Sequence, residues 1–259
     1  MNSYFSKRRP IALRLLLLVA CSLLANNCFA AKLITYGSGD QAVDACRLSV
    51  GQDHIRMFWR DQEGATFGGF QQLNAWLAKR GETLVCATNA GIFGTDLRPI
   101  GLYIEDGRIL RKLNVRKQAY GNFYLQPNGA FILSTTQAAI VDTDDISASH
   151  GALLATVQYA TQSGPILLRN SEVNPLFKPD STNRTIRNAV CTLSEHEIAL
   201  VRSQQPISFY DFAQQLRDKV GCRDALYLDG TISQLFPYDN DNLESNYGAM
   251  IGATKSIAH

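Results

Sequence analysis

Turn signals at short intervals leave this chain of 259 residues little room for long helices. Asp106-Gly107 stands between Gly101–Glu105 and Arg108–Leu113, and Pro127-Asn128-Gly129 between Asn122–Gln126 and Ala130–Ser134. Asp-Gly and Asn-Gly between short alternating runs are strong hairpin signals, because these residues accept the left-handed backbone of a tight loop. Further short strands read at Lys32–Tyr36, Cys46–Val50, His54–Arg60 and Thr83–Thr88. Five more read at Ile166–Leu168, Thr185–Cys191, Ile198–Arg202, Ala225–Leu228 and Tyr247–Ala253. Asp142–His150 and Pro175–Asn183 read as loops, and Gly151–Thr161 fits either helix or strand. Two stretches carry a helical period. Phe70, Leu73, Trp76 and Leu77 share one face and Gly81 closes it; Phe209, Phe212, Ala213, Leu216 and Val220 share another, opened by the capping box Ser208–Asp211 and closed by Gly221. The expectation is an α+β fold: one domain over residues 31–259 with a mixed, largely antiparallel sheet, hairpins and a few helices. The second helix can serve as a crossover between Ile198–Arg202 and Ala225–Leu228, which would make those strands parallel.

Residues 1–30 read as an address. Lys7, Arg8, Arg9 and Arg14 precede the apolar run Leu15–Ala25, and Cys28-Phe29-Ala30 ends it with small residues. This is the pattern of a secretory signal peptide, with cleavage expected after Ala30 and an exported, periplasmic or secreted product. The run is shorter than the ~20 residues a spanning helix needs. Leu18-Val19-Ala20-Cys21 also fits a lipobox, in which Cys21 would carry lipid and give the chain its one route to a membrane; an uncleaved anchor is a third reading. Loss of the leader removes four cations and no acid, so the formal charge of +2 becomes negative. With no basic stripe and no nucleic-acid motif, nucleic acid is not an expected partner. Cys46, Cys86, Cys191 and Cys222 remain, an even number in an exported chain, which predicts two disulfides. Spacing favours Cys46–Cys86 and Cys191–Cys222 among the three possible connectivities. The histidines are scattered and no Cys/His cluster has metal-ligand spacing, so neither a structural zinc site nor a histidine-based triad is expected.

The stretch with most chemical content is Ala225-Leu226-Tyr227-Leu228-Asp229-Gly230-Thr231-Ile232-Ser233. A short apolar strand runs into a carboxylate on a glycine turn, with two hydroxyls close behind. Such a junction presents a reactive group at a sheet rim, and it is equally the composition of a solvated Asp-Gly turn. Thr83–Thr88 running into Asn89-Ala90-Gly91 is a second strand-to-loop junction of the same kind.

Taken in order, Thr88–Phe93, Gly101–Gly107, Gly121–Leu125, Gln162–Pro165, Arg187–Val190, Leu228–Ser233 and Gly248–Gly252 resemble the motifs of the phosphodiester glycosidase family, in its small bacterial exported branch. The resemblance runs from about Ala31 to the C-terminus. Ala90 and Thr231 stand where larger members have glycine, Cys191 where the branch usually has glycine, and Asn174 where a histidine is usual. The resemblance implies a hydrolase acting on sugar 1-phosphodiesters, with a carbohydrate or phosphoglycan as substrate. Such chemistry asks for a cation on the phosphate and a carboxylate to activate water or meet the sugar cation. Arg187, a planar fork inside an apolar strand, is the candidate for the first, with Arg184 assisting. Asp229 is the candidate base or nucleophile, Glu105 a second carboxylate and Asp96 a third. Asn89, Asn122, Ser163, Thr231 and Ser233 are candidates for sugar hydroxyls or for positioning the acid, with Gly91, Gly164 and Gly230 in the same ligand-binding turns. No cofactor is called for, and a divalent cation is not excluded. Two other classes fit the same residues: a non-catalytic phosphoglycan-binding domain, and a metal-dependent phosphodiesterase with Asp229, Glu105 and Asn89 as oxygen ligands.

Overall fold

The computed structural model describes residues 31–239 and 246–257. The readings of the leader, including Cys21 and the cleavage site, lie outside the described residues. In chain order the elements are β1 (Lys32–Tyr36), β2 (Val43–Ser49), β3 (His54–Phe58), α1 (Phe70–Ala78), β4 (Glu82–Asn89), β5 (Tyr103–Glu105), β6 (Arg108–Arg111), β7 (Gly129–Leu133) and β8 (Ala138–Asp142). There follow α2 (Thr143–Ala148), β9 (Tyr159–Ser163), β10 (Ile166–Arg169), β11 (Glu172–Val173), β12 (Asn188–Ser194), β13 (Glu197–Ser203), α3 (Phe209–Gln215), β14 (Asp224–Tyr227), β15 (Leu235–Phe236) and β16 (Met250–Ser256). No helix among the described residues is long and apolar enough to cross a membrane.

Three sheets result. One has the order β1-β2-β13-β12-β14-β10-β11, the second β15-β4-β16-β3 and the third β6-β5-β9-β7-β8. The fold is α+β, as the pattern of short strands and two helical stretches predicts. Every ladder between named strands is antiparallel. β13 and β14 do run in the same direction across α3, but β12 lies between them and pairs with both.

The seven-stranded sheet faces the other two sheets across the main core. Leu48, Val190, Leu200, Leu226 and Leu228 from one side meet Met57, Cys86, Tyr103, Phe131 and Ile251 from the other. The alternate residues of the same strands, Ala189, Cys191, Val201, Ala225 and Tyr227, turn to the opposite face, where Phe212, Ala213, Leu216 and Val220 of α3 and its continuation cover them. α1 covers the outer face of the four-stranded sheet with Phe70, Leu73 and Leu77, and Ile146 of α2 packs on the five-stranded one. Ser208 caps α3 by accepting from the Asp211 N–H, and after the wider turn Leu216–Val220 the chain reverses at Gly221, whose φ of 85° suits glycine. Both favoured cysteine pairs are disulfides. Cys46–Cys86 ties β2 to β4 across the main core, and Cys191–Cys222 ties β12 to the segment after α3. Each closes a loop long enough to raise stability by about 3–4 kcal/mol on chain-entropy grounds, and both fit an oxidising compartment.

Two local expectations are corrected. Asn122–Gln126 is not the partner of Ala130–Ser134: Asn122–Tyr124 is a 3₁₀ turn, and β7 pairs instead with β8. The side chain of Asn128 donates to the Phe123 carbonyl and so curls that segment back on itself. Asp142–His150 is not a loop; Asp142 accepts from the Asp144 N–H and opens α2. The undecided stretch resolves into a 3₁₀ turn at Ala152–Leu154 and then β9.

Candidate active site

β14 ends at Tyr227, and the next two residues cross to the second sheet. Leu228 N–H donates to the Asn188 carbonyl, and Asp229 N–H to the Ala90 carbonyl at 3.3 Å. The Asp229 carbonyl in turn accepts the side-chain amide of Asn89 at 2.8 Å. Asn89 is fully buried, so its amide oxygen also needs donors. It takes Asn188 Nδ2 at 2.9 Å and the Gln234 N–H at 3.1 Å. Asn188, equally buried, uses the same amide nitrogen on Thr88 Oγ1 and receives the Ser233 hydroxyl on its own oxygen. Thr88 Oγ1 donates onward to the Gln234 carbonyl. Asn188 is the first residue of β12 on the face that points to the main core, where a lone amide would be costly. The ends of β4 and of the Asp229 turn supply its partners. The result is a bracket of buried amides that fixes the peptide of Asp229 from both sides.

Two glycines are set by close approach. A Cβ on Gly230 would lie 1.4 Å from the Tyr227 hydroxyl, and one on Gly91 would lie 2.4 Å from the Gln162 carbonyl. The tyrosine fills the space under the turn. Burial pushes its hydroxyl up to about 12, with Arg187 opposing and the Asp229 carboxylate adding to the rise.

Asp229 is 9 % exposed and lines a cleft of about 750 Å³. The cleft walls are Ile92 and Phe93 after β4, Tyr120, Gly121, Asn122 and Leu125 before β7, and Asn183. Asp229 is the sole carboxylate among the described residues that line it. Of the expected ligand-binding residues, Asn122 is in this wall. Asn89 and Ser233 lie beneath it in the bracket, where their polar atoms are engaged with the protein. Gly164 is tightly packed: a Cβ there would lie 2.7 Å from that of Asn128. Ser163 is fully buried at the end of β9, with no hydrogen-bond partner for its hydroxyl among the described residues. Thr231 stands in the 3₁₀ turn Gly230–Ile232.

Four of the expected charged residues stand elsewhere. Arg187 is 1 % exposed, on the face of the sheet that α3 covers. Its Nε donates to the Ile207 carbonyl at 2.7 Å, Nη1 to the Tyr227 hydroxyl, and Nη2 to the carbonyl and side-chain oxygens of Asn183. Phe209 stacks on it at 3.7 Å. A fork so occupied is not open to a phosphate; it holds Tyr227 and Asn183, one below the acid and one in the cleft wall. Burial lowers its pKa from the usual arginine value, and Tyr227 works against that fall. Arg184 is half-exposed in an ion pair with Asp211 at 3.0 Å. Asp96, too, lies outside the cleft lining, in an exposed pair with Arg98.

Glu105 is at the other end of its sheet. Tyr103 opposes Thr161 and Ile104 opposes Ala160, so Glu105 lies toward Tyr159 while Ser163 leads to the acid. Four residues of strand are about 13 Å. Its carboxylate accepts the Tyr103 hydroxyl at 2.7 Å, and burial pushes its pKa above the usual carboxylate value. Folding therefore shifts Glu105 toward its neutral form relative to the unfolded chain. That stabilisation is complete below about pH 4, the unfolded value, and is lost as pH rises through the folded pKa. Glu105→Gln should flatten the pH dependence of urea unfolding from pH 4 upward; an unchanged slope would show the carboxylate to be solvated. With Glu105 remote and Asn89 engaged, the trio of oxygen ligands expected for a metal is not assembled. Among the described residues no three His, Cys, Asp or Glu side chains are grouped to hold a cation.

Residues 82–254, from the start of β4 through Thr254 of β16 and including the whole bracket, match the family model for phosphodiester glycosidase. The chain belongs to the phosphodiester glycosidase family. It is 33 % identical over 194 residues to YigE, an uncharacterized protein of Escherichia coli (strain K12), in an alignment covering 75 % of this chain and 74 % of that one. The phosphodiester glycosidase fold is also seen in the catalytic domain of zebrafish N-acetylglucosamine-1-phosphodiester alpha-N-acetylglucosaminidase, solved auto-inhibited by its pro-peptide. That likeness has a TM-score of 0.54 at 14 % identity, over 86 % of this chain and 82 % of the other. A hypothetical protein from Synechocystis gives 0.53 at 13 % identity, over 86 % and 61 %. At these identities the likeness to the solved structures is one of fold.

Asn188 and Asn183 carry more of the site than sequence reasoning assigned them. The signal for Asn188 was present: adjacent residues of a strand face opposite ways, so Arg187 and Asn188 cannot both serve the cleft. Asn183 sits in a loop whose path no periodicity reveals.

Proposed function

We propose that this phosphodiester glycosidase family member is an exported hydrolase that cleaves the anomeric C–O bond of sugar 1-phosphodiesters, with glycosyl phosphates of the cell envelope as its natural class of substrate. One observation carries the reading: Asp229, its backbone clamped by buried amides, faces a cleft that no other carboxylate among the described residues lines. In such a diester the group that leaves is a phosphate monoester, whose second pKa is about 6. It departs without a proton donor, so the second carboxylate of ordinary glycosidases is dispensable. Asp229 either attacks the anomeric carbon or takes a proton from the water that does. In either case water oxygen ends on the sugar, and the electron pair of the broken bond leaves with the phosphate. The disulfides and the leader pattern support export.

Hydrolysis of an N-acetylglucosaminyl phosphodiester in ¹⁸O-water tests this. The label should appear in the free sugar, with the rate unchanged by a chelator. Label in the phosphate, together with chelator sensitivity, would mean P–O cleavage by a metal-dependent phosphodiesterase. Binding seen by calorimetry with no product after long incubation would leave a phosphoglycan-binding domain.

A further inference from the structure

A second hollow of about 470 Å³ opens directly off the Asp229 cleft, sharing Asn122, Leu125 and Asn183 with it. It lies between the 174–183 loop and the start of α3, and its character differs from that of its neighbour. Leu125, Leu176, Phe177 and Phe209 supply much of its wall, and Leu176 is 66 % exposed although nothing solvates an isobutyl group well. The wall is held in shape. Phe177 stacks on Phe209 at 5.1 Å with the rings 13° apart, and the Arg187 guanidinium lies against Phe209. Asn174 is buried and pins the loop: its amide nitrogen donates to the Ile166 carbonyl and its oxygen accepts the Leu176 N–H. Among the described residues lining either hollow, the one cation is Lys178, and Asp180 is the one carboxylate lining the second hollow.

A phosphodiester has two arms and an anion between them. With the sugar carbon at Asp229, the alcohol arm must leave the cleft through an adjoining space. We propose that the apolar hollow is the subsite for that arm, that the arm is the hydrocarbon chain of a lipid alcohol, and that Lys178, in the wall of that hollow, takes the phosphate. The assignment rests on the phosphodiester reading above but names a substrate class that the reading leaves open. It also supplies the cation that Arg187, locked in the α3 layer, does not.

Affinities of methyl phosphate, hexyl phosphate and glucose 6-phosphate, measured by calorimetry on the mature chain, test the subsite without turnover. A fully buried methylene is worth about fourfold in affinity. Hexyl phosphate, part of whose chain faces solvent, should therefore bind at least about tenfold tighter than either of the other two. Leu176→Ser, a neutral change at an exposed position that folding does not need, should remove much of that advantage and leave methyl phosphate unaffected. Lys178→Gln should weaken all three by a similar factor. Hexyl phosphate binding no tighter than methyl phosphate, or more weakly than glucose 6-phosphate, overturns the proposal. The hexyl and methyl diesters of one sugar 1-phosphate separate the two layers of argument. Turnover of both with equal kcat/KM removes the subsite and keeps the hydrolase; chain-dependent phosphate binding without turnover of either diester keeps the subsite and removes the hydrolase.

Discussion

Asp229→Asn should lower kcat for sugar-phosphate release by about 10²–10⁴-fold, the usual worth of a positioned base, and by more if the carboxylate is the nucleophile. The substitution is close to isosteric, and the contacts that set the turn involve the Asp229 backbone: its N–H on Ala90 and its carbonyl on Asn89. Circular dichroism and the midpoint of thermal unfolding should therefore stay near those of the parent, and KM should move little. That combination distinguishes loss of chemistry from loss of the site. Full turnover in the variant would take the acid out of the mechanism, because no other described carboxylate lines the cleft.

The second large effect falls on stability. Arg187→Met keeps the apolar stem and removes the fork. It leaves the Ile207 and Asn183 carbonyls and the Tyr227 hydroxyl buried with a donor missing, and it takes away the plane on which Phe209 stacks. The Ile207 carbonyl keeps the Thr185 N–H at 3.4 Å; each group left short of a donor costs up to about 1–3 kcal/mol, so a total of roughly 3–5 kcal/mol is expected after partial relaxation. In a domain of this size that lowers the unfolding midpoint by roughly 10 °C. Arg187→Lys should recover little, since an ammonium cannot reach the same acceptors at once. A phosphate ligand would behave in the opposite way, with stability kept and KM raised. The measurement therefore decides directly between the role expected from charge and the role seen in the packing.

That contrast shows what could be read from residues alone. Hydrophobic period fixes which face a residue takes, and it predicted both helices, most strands and the Asp106-Gly107 hairpin. It missed α2 because that helix buries only Thr143 and Ile146, too few for a repeat to register. It misassigned the partner of β7 because the true turn, Ser134–Gln137, is held by the Ser134 hydroxyl on the Thr136 and Gln137 N–H groups, with no Gly or Asn to announce it. For the site, the junctions at Asn89 and Asp229 were legible because an apolar strand ending in a polar residue marks a sheet rim. Their division of labour was not. Asn89 looks like a ligand residue in the sequence and becomes a support once Asn188, a hundred positions away, closes on it. Glu105 and Arg187 were chosen for charge, and register and strand parity send each of them elsewhere.

The bracket under Asp229 also separates two jobs along the chain. The acid is seated by strand ends of two sheets that a disulfide joins through the core. The walls of the cleft and of its apolar annexe come largely from stretches outside the regular strands, around 119–125 and 174–183. On the proposed reading, reaction type and choice of molecule are thus written in different parts of the polypeptide, so those two stretches could be rewritten without unseating the acid.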